Sequence, residues 1–498
     1  MKHIKFGIVI LFSFYFSYAQ KENENIFLDR DFWKTSPKVT KIKEMINKGA
    51  NPVELNRYAF DAVCYAILEN APLESIIYLL SLKGNEVNKF THDGRNYFMW
   101  AAYKGNVDLM QHLIQKGSDT KIVDDHGYNP ITFVAVTGQQ NLKVYDLLLK
   151  NGSQIKDMNR EGANSLLLLT PHLKDFSTVK YFTDKGLSIL DKDHLGNTMI
   201  SYAARGGNRE IINKLITLGV DYKNKNKNDG NAFMFAARGF RGSTNNLEFF
   251  RYLKKIGIDT NIITKDNETP LHALAFRQKD RKVFEFFIDN GVDPNKKNND
   301  GNTALINAVL SSNIEIVKYL QGYTKNINQK NKEGMNALIY AFRNGDPKLV
   351  KFLLENGSNI HTKDKNNRNV IAHLFDTFSY SNKANFDELL DMSLKMGVNP
   401  NETFFGNNNL IHLAAEKMSD FLLKRAIAFD QEINQKNNNG LAPLHIAAMK
   451  SRNNKLLKIL IENGAVKTVL TDFDESAYDL AKENEFLIDN NINIDFLK

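Results

Sequence analysis

A repeat period constrains this chain more than any other feature. Glycines in short polar turns fall at Gly94, Gly127, Gly162, Gly196 and Gly230, spaced 33, 35, 34 and 34 residues apart. The series resumes at Gly301 and Gly334 after a gap of 71, and at Gly440 after a gap of 106, which fit two and three periods. A fixed period in this range means stacked supersecondary units, none able to bury its apolar face alone. At 498 residues the chain is too long for one globular core. A stack escapes that limit because each repeat packs only on its neighbours. The predicted fold class is an all-α repeat solenoid.

Residues 331–360 show the repeat. A tight turn at Lys332, Glu333 and Gly334 leads into a short stretch with helical apolar spacing (Leu338, Ile339, Ala341, Phe342). Asn344-Gly345 ends it, glycine relieving the left-handed backbone of a helix stop. Pro347 suits the first turn of a second helix. That helix carries Leu349, Val350, Leu353 and Leu354 on one stripe, and Asn356-Gly357 closes it.

Thr269-Pro270-Leu271-His272, Ile411-His412-Leu413-Ala414-Ala415 and Ala442-Pro443-Leu444-His445-Ile446-Ala447-Ala448 resemble the core phrase of the ankyrin repeat. So do the endings Lys116-Gly117, Asn290-Gly291 and Asn463-Gly464. The resemblance covers residues 31–483 and implies two helices plus a β-hairpin-like finger per repeat, about thirteen or fourteen repeats in one curved stack. Asn267 and Asn367 stand where the finger glycine belongs, and residues 166–169 with Pro171 replace a normal first helix. Asparagine tolerates positive φ best after glycine, so the turn chemistry is kept. Phe32, Trp33 and residues 39–46 are expected to cap one end, and residues 477–481 with Phe486, Leu487 and Ile488 of the tail 484–498 the other.

Residues 1–19 are expected to be a signal peptide. Lys2, His3 and Lys5 precede an apolar run over residues 6–16, and Ser17-Tyr18-Ala19 forms a small-x-small cleavage site before Gln20. The run is short for a membrane span. The Ala19–Gln20 junction is similar to those of Bacteroidetes-type bacteria. Residues 20–30 form a short lead. Cleavage removes Lys2 and Lys5 and takes the net charge from +8 to +6. A monomer, exported to the periplasm or secreted, is expected.

Catalytic motifs are missing: no GxSxG, phosphate loop, GxGxxG, HExxH or CxxC occurs. Cys64 is the single cysteine and reads as a core filler. Asp124, Asp125 and His126 lie on one turn with no fourth ligand in view, so no metal is expected. The resemblance makes His272, His412 and His445 hydrogen-bonding bridges between neighbouring fingers. No cofactor and no enzyme activity are expected.

Surface is what remains. In ankyrin stacks the fingers and the C-terminal ends of the first helices line a concave groove where partners bind. The resemblance places Tyr103, Lys104, Arg205, Arg238, Phe276, Arg277, Arg343, Asn344, Met449 and Lys450 there, with Glu416-Lys417 in the same register. Val136-Thr137, Leu310-Ser311 and Asp376-Thr377 interrupt this partly cationic series. Finger-tip cations add Arg95, Lys223, Lys225, Lys227, Lys296, Lys297, Lys330, Lys332, Lys363, Lys365 and Arg368. Such a face attracts an acidic protein partner, or else a polyanionic glycan or lipid head group. With no nucleic-acid-binding motif in view, nucleic acid is not expected. Insertions at residues 239–246 and 376–385 are expected to be surface loops whose shortening leaves stability nearly unchanged.

Overall fold

The computed structural model describes residues 25–240 and 243–498, so the leader with Ala19 and Gln20 lies outside the described residues. The described residues divide into two bodies, one holding residues 25–203 with 208–220 and the other residues 204–207 with 221–240 and 243–498. Both are built from helix pairs joined by extended fingers. Among the described residues there are fourteen pairs, from Arg30–Lys34 with Val39–Asn47 to Ala477–Glu483 with Glu485–Asp489. No helix there is long and apolar enough to cross a membrane.

Each first helix is short, and between the two end pairs most of its residues are buried. Tyr97–Lys104 buries Tyr97, Phe98, Met99, Trp100, Ala101 and Ala102, and Ala337–Arg343 buries all but Tyr340 and its terminal arginine. Each second helix is one-sided: Pro347–Glu355 buries only Leu349, Val350 and Leu353. A two-layer stack follows, the first helices lying between the second helices and the fingers.

The fingers repeat one hydrogen-bond device. A side-chain oxygen opens the turn and accepts the N–H groups two and four residues on. Asp124 Oδ1 accepts from His126 (3.0 Å) and Tyr128 (2.8 Å), and Asn331 Oδ1 from Glu333 (3.0 Å) and Met335 (2.9 Å). The turn then needs a left-handed residue. Gly334 supplies it at φ 74°, and a Cβ there would strike the backbone of Lys365 in the next finger. Asn267 (φ 58°) and Asn367 (φ 61°) fill the same position without glycine, as their sequence implied. At Gly230 the left-handed residue is instead Asp229, φ 61°. Neighbouring fingers are joined by backbone bonds, among them Asp125 N–H to Asp93 O (2.9 Å) in the first body and Lys332 N–H to Asp300 O (2.8 Å) in the second.

Asparagine does more than form turns. Asn96 caps its helix by accepting the Met99 N–H at 3.2 Å, while its Nδ2 donates to Asp119 O at 2.9 Å. Asn369 does the same with Ala372 and Asn399. A second set spans repeats. Asn328 donates to Gly357 O (3.0 Å) and accepts the Asn359 N–H (2.7 Å), and Asn88, Asn295 and Asn434 do likewise one repeat along. These amides complete backbone groups that a helix end or an extended arm leaves open.

The ends are packed. Phe27, in the lead, is fully buried against Trp33 and Phe32 at centroid separations of 5.7 and 5.6 Å. At the other end the tail residues Glu485–Asp489 form the second helix of the last pair, and Leu487 and Leu497 are buried.

Candidate binding surface

Each first helix follows its finger in the chain, and the ten candidate residues sit at the C-terminal ends of those helices or just past them. Tyr103 and Lys104 belong to the first body, half-buried, with Tyr103 against Trp100 and Phe133. The other eight belong to the second body. Phe276 and Met449 are exposed apolar side chains. Asn344 points back into the stack, donating to Val309 O at 2.7 Å.

The four arginines are engaged by neighbouring repeats. Arg205 Nε–H donates to Gly239 O at 2.8 Å, with its guanidinium over the Phe240 ring. Arg277 donates to Phe240 O at 3.0 Å, so both brace the residues that open the 239–246 insertion, of which 241 and 242 lie outside the described residues. Arg238 pairs with Glu268 at 3.2 Å. Arg343 pairs with Asp376 at 3.1 Å. Lys450 pairs with Glu416.

Asp376, which reads in sequence as a break in the cation series, is its centre. It receives Arg343, Lys417 (2.7 Å) and Arg368 (3.7 Å), and Arg368 also holds Asp364 at 2.9 Å. Burial alone would raise the Asp376 carboxyl, but Lys417 and Arg343 outweigh it and hold it below the usual carboxylate range. Beneath this cluster His373 is fully buried, 3.2 Å from Asp364 Oδ2 without an aligned hydrogen bond. The expected track of available cations is therefore a set of ion pairs and carbonyl contacts between repeats. Arg238 and Arg343 each meet an acid about one period further on, Lys450 meets one about a period back, and Arg205 and Arg277 meet backbone carbonyls of a neighbouring repeat.

Arg95 differs from its reading as a finger-tip cation. It is buried, with Nε–H on Asp124 Oδ2 at 2.8 Å, Nη2 on the same oxygen at 2.7 Å and Nη1 on Asp93 at 3.0 Å. Trp100 and Phe133 face its guanidinium. Asp124 is thus committed to a buried pair and to its own turn. Among the described residues no group of three or more His, Cys, Asp or Glu is arranged to hold a metal ion.

Asp61 forms a second buried charge centre, accepting from Cys64 N–H (2.9 Å) and Tyr97 Oη–H (2.6 Å) and pairing with Lys89 (2.9 Å). Burial, with Asp61 beside it, pushes the Cys64 thiol well up, away from the reactive thiolate. The three motif histidines bridge repeats. His272, His412 and His445 reach Asn302 O (3.1 Å), Leu441 O (3.1 Å) and Val469 O (2.9 Å) through Nε2. In His445 the Nδ1 accepts the Ala442 N–H at 3.0 Å, which leaves the proton on Nε2.

The 376–385 insertion is packed rather than loose. Phe378 stacks on Phe421 at 4.8 Å and meets Phe386 edge-on at 5.1 Å, while Tyr380 Oη–H donates to Asp420 at 2.8 Å. Removing residues 379–382 with Phe378→Ala is expected to cost about 2–4 kcal/mol, read as a lower urea midpoint of the second body. An unchanged midpoint would restore the neutral-loop reading. Near the other insertion an open cleft of about 490 Å³ is lined by Ser243, Thr244, Phe276, Arg277, Lys279 and Ser311 among others.

Comparison with known proteins agrees with this architecture. The model described as ankyrin repeats (3 copies) matches residues 62–160, 200–298, 233–331 and 271–364, and the single ankyrin repeat model matches 439–471. The chain is 27% identical over 197 residues to the human transient receptor potential cation channel subfamily A member 1, covering 37% of this chain and 16% of that one. It is 27% identical over 248 residues to the putative ankyrin repeat protein L371 of Acanthamoeba polyphaga mimivirus, 43% of this chain and 32% of that protein. The chain thus spans less than a third of either relative. The human ASB11 ankyrin repeat domain covers 44% of this chain and 95% of its own at a TM-score of 0.37 and 21% identity. Period, finger device, helix pairs and family models together make this chain a member of the ankyrin-repeat family.

Proposed function

We propose that this chain is a non-catalytic protein-binding scaffold, exported to the cell envelope or beyond it. Ankyrin repeats generally mediate protein–protein interaction. The observation that carries the reading is what the frame leaves facing outward. Its buried charges are matched inside the stack at Asp61 and Asp124, and half-buried Asp376 is matched too, while one structural position changes from repeat to repeat among Tyr103, Val136, Phe276, Leu310 and Met449. Variation at a fixed place on a repeated frame suits display of a partner-specific face. The exposed ring of Phe276 beside the cleft is its best anchor, since aromatic side chains that fill pockets dominate interface energies. With the arginines engaged by neighbours, fewer cations remain to hold a polyanion.

Export rests on the residues before Lys21, and the bacterial reading on the Ala19–Gln20 junction alone, since the relatives named above are human and viral. N-terminal sequencing of secreted material should begin at Gln20. For the scaffold, the test is cross-linking of residues 20–498 in an envelope extract, followed by mass spectrometry. One protein should be enriched, and at least about tenfold less of it, or 1.4 kcal/mol, by a Phe276→Asp, Met449→Asp variant with an unchanged melting temperature. Enrichment no greater than on an unrelated helical stack would sink the scaffold reading.

A further inference from the structure

One finger position, immediately before the residue that opens each turn, carries a pattern that the groove does not explain. In the first body it reads Leu55, Phe90, Val123 and Met158 in four successive repeats, then Lys192. All four apolar side chains are exposed, from 40% at Leu55 to 68% at Phe90. The fold does not require this. In the second body the same position holds Lys225, Lys297, Lys330, Lys363 and Lys436, with Thr403 and with exposed apolar Ile263 and Leu470 only singly, never in successive repeats. Two residues before Val123 and Met158 stand Lys121 and Lys156, exposed and without an ion pair among the described residues. They stand in the bend and the turn that lead into those two fingers. The nearby carboxylates are occupied in their own turns: Asp119 accepts the Lys121 N–H and Asp157 the Gln154 N–H, both at 2.8 Å. Asp125 is exposed in the turn of its finger, two residues past Val123.

We infer that this column is a docking stripe for an amphipathic helix of a partner protein, apolar along its centre and acidic at its edge. The inference rests on the scaffold reading above and names a face and a partner chemistry for it. Spacing favours a helix. Each finger has two extended arms and neighbouring fingers share backbone bonds, so one repeat advances the column by about two strand spacings, ~10 Å. A helix advances about 10.5 Å in seven residues and returns to nearly the same face. An extended strand keeps one face only at even steps, about 7 or 13 Å, which miss the column. Lys121, Lys156 and Lys192 then favour glutamate or aspartate beside the apolar seam and disfavour a basic helix.

The test uses the chain from residue 20 onward and a labelled synthetic helix of roughly 21 residues, long enough for three column steps. Leucines repeat at heptad a and d positions, and glutamates flank them. Fluorescence anisotropy should show saturable binding. The triple variant Phe90→Ser, Val123→Ser, Met158→Ser should weaken it at least about tenfold with circular dichroism and melting unchanged. Lys121→Glu with Lys156→Glu should weaken the glutamate helix and strengthen a lysine-flanked one. No saturation below about millimolar peptide, equal binding by the serine variant, or equal binding of both helices to the parent would each overturn the stripe. The envelope partner separates this inference from the scaffold reading. If the parent captures it and the serine variant captures it equally well, the stripe is wrong and the scaffold stands; if the parent captures nothing, the scaffold reading has failed.

Discussion

Replacing Arg95 by methionine is expected to destabilise the fingers of the first body by about 3–5 kcal/mol, the range for removing one partner of a buried ion pair. Methionine fills much of the volume between Trp100 and Phe133, so little of the loss would come from a cavity. What it leaves is Asp124, buried, with two guanidinium nitrogens withdrawn and only the His126 and Tyr128 N–H groups to hold its charge. Asp124→Asn in the same chain should recover part of the loss, because the amide keeps an acceptor for those N–H groups and sheds the unpaired charge. Since repeats unfold by neighbourhood, the readout is hydrogen exchange of residues 91–135 rather than one global midpoint. Equal exchange in parent and variant would mean that the pair contributes nothing net.

Arg95 also shows where sequence reading stops. The period, the two-helix repeat and the tolerance of Asn267 and Asn367 for a left-handed backbone were legible because they depend on local spacing and on one residue's own conformational range. Arg95 was misplaced because its depth depends on Asp124, 29 residues away, and on rings from two first helices. Arg343 and Asp376 lie 33 residues apart, close to one period, so aligning the repeats in columns would have revealed that pair. The packed insertion gives no such signal. Phe378 finds Phe421 across an offset that the insertion itself lengthens, so the aromatic cluster falls out of register with the repeat. The amide bridges of Asn88, Asn295, Asn328 and Asn434 were present in plain view as asparagines, but turn propensity alone accounted for them and hid the role between repeats.

Acid should unfold the second body before the first. Its four buried histidines, His272, His373, His412 and His445, are each disfavoured as imidazolium. Burial is the main cause at all four, and it takes His412 down to about 4. At His373 Arg368 and Arg343 add to it against Asp364 and Asp376, and the result is again about 4. In the unfolded chain a histidine titrates near 6.5. Between about pH 6.5 and 4 the unfolded state therefore binds more protons than the folded one, and stability rises with pH across that window. The contribution is whole above the unfolded value and is lost as pH falls toward 4, by about 3 kcal/mol for each of His373 and His412. The bond from His412 Nε2 to Leu441 O would survive protonation, so the loss arises from charging a buried ring rather than from breaking the bridge. His412→Gln removes that titration and is expected to flatten the fall of the urea midpoint between pH 6.5 and 4, even where it lowers stability at pH 7. A slope identical to the parent's would show that His412 is protonated in the folded chain as readily as in water.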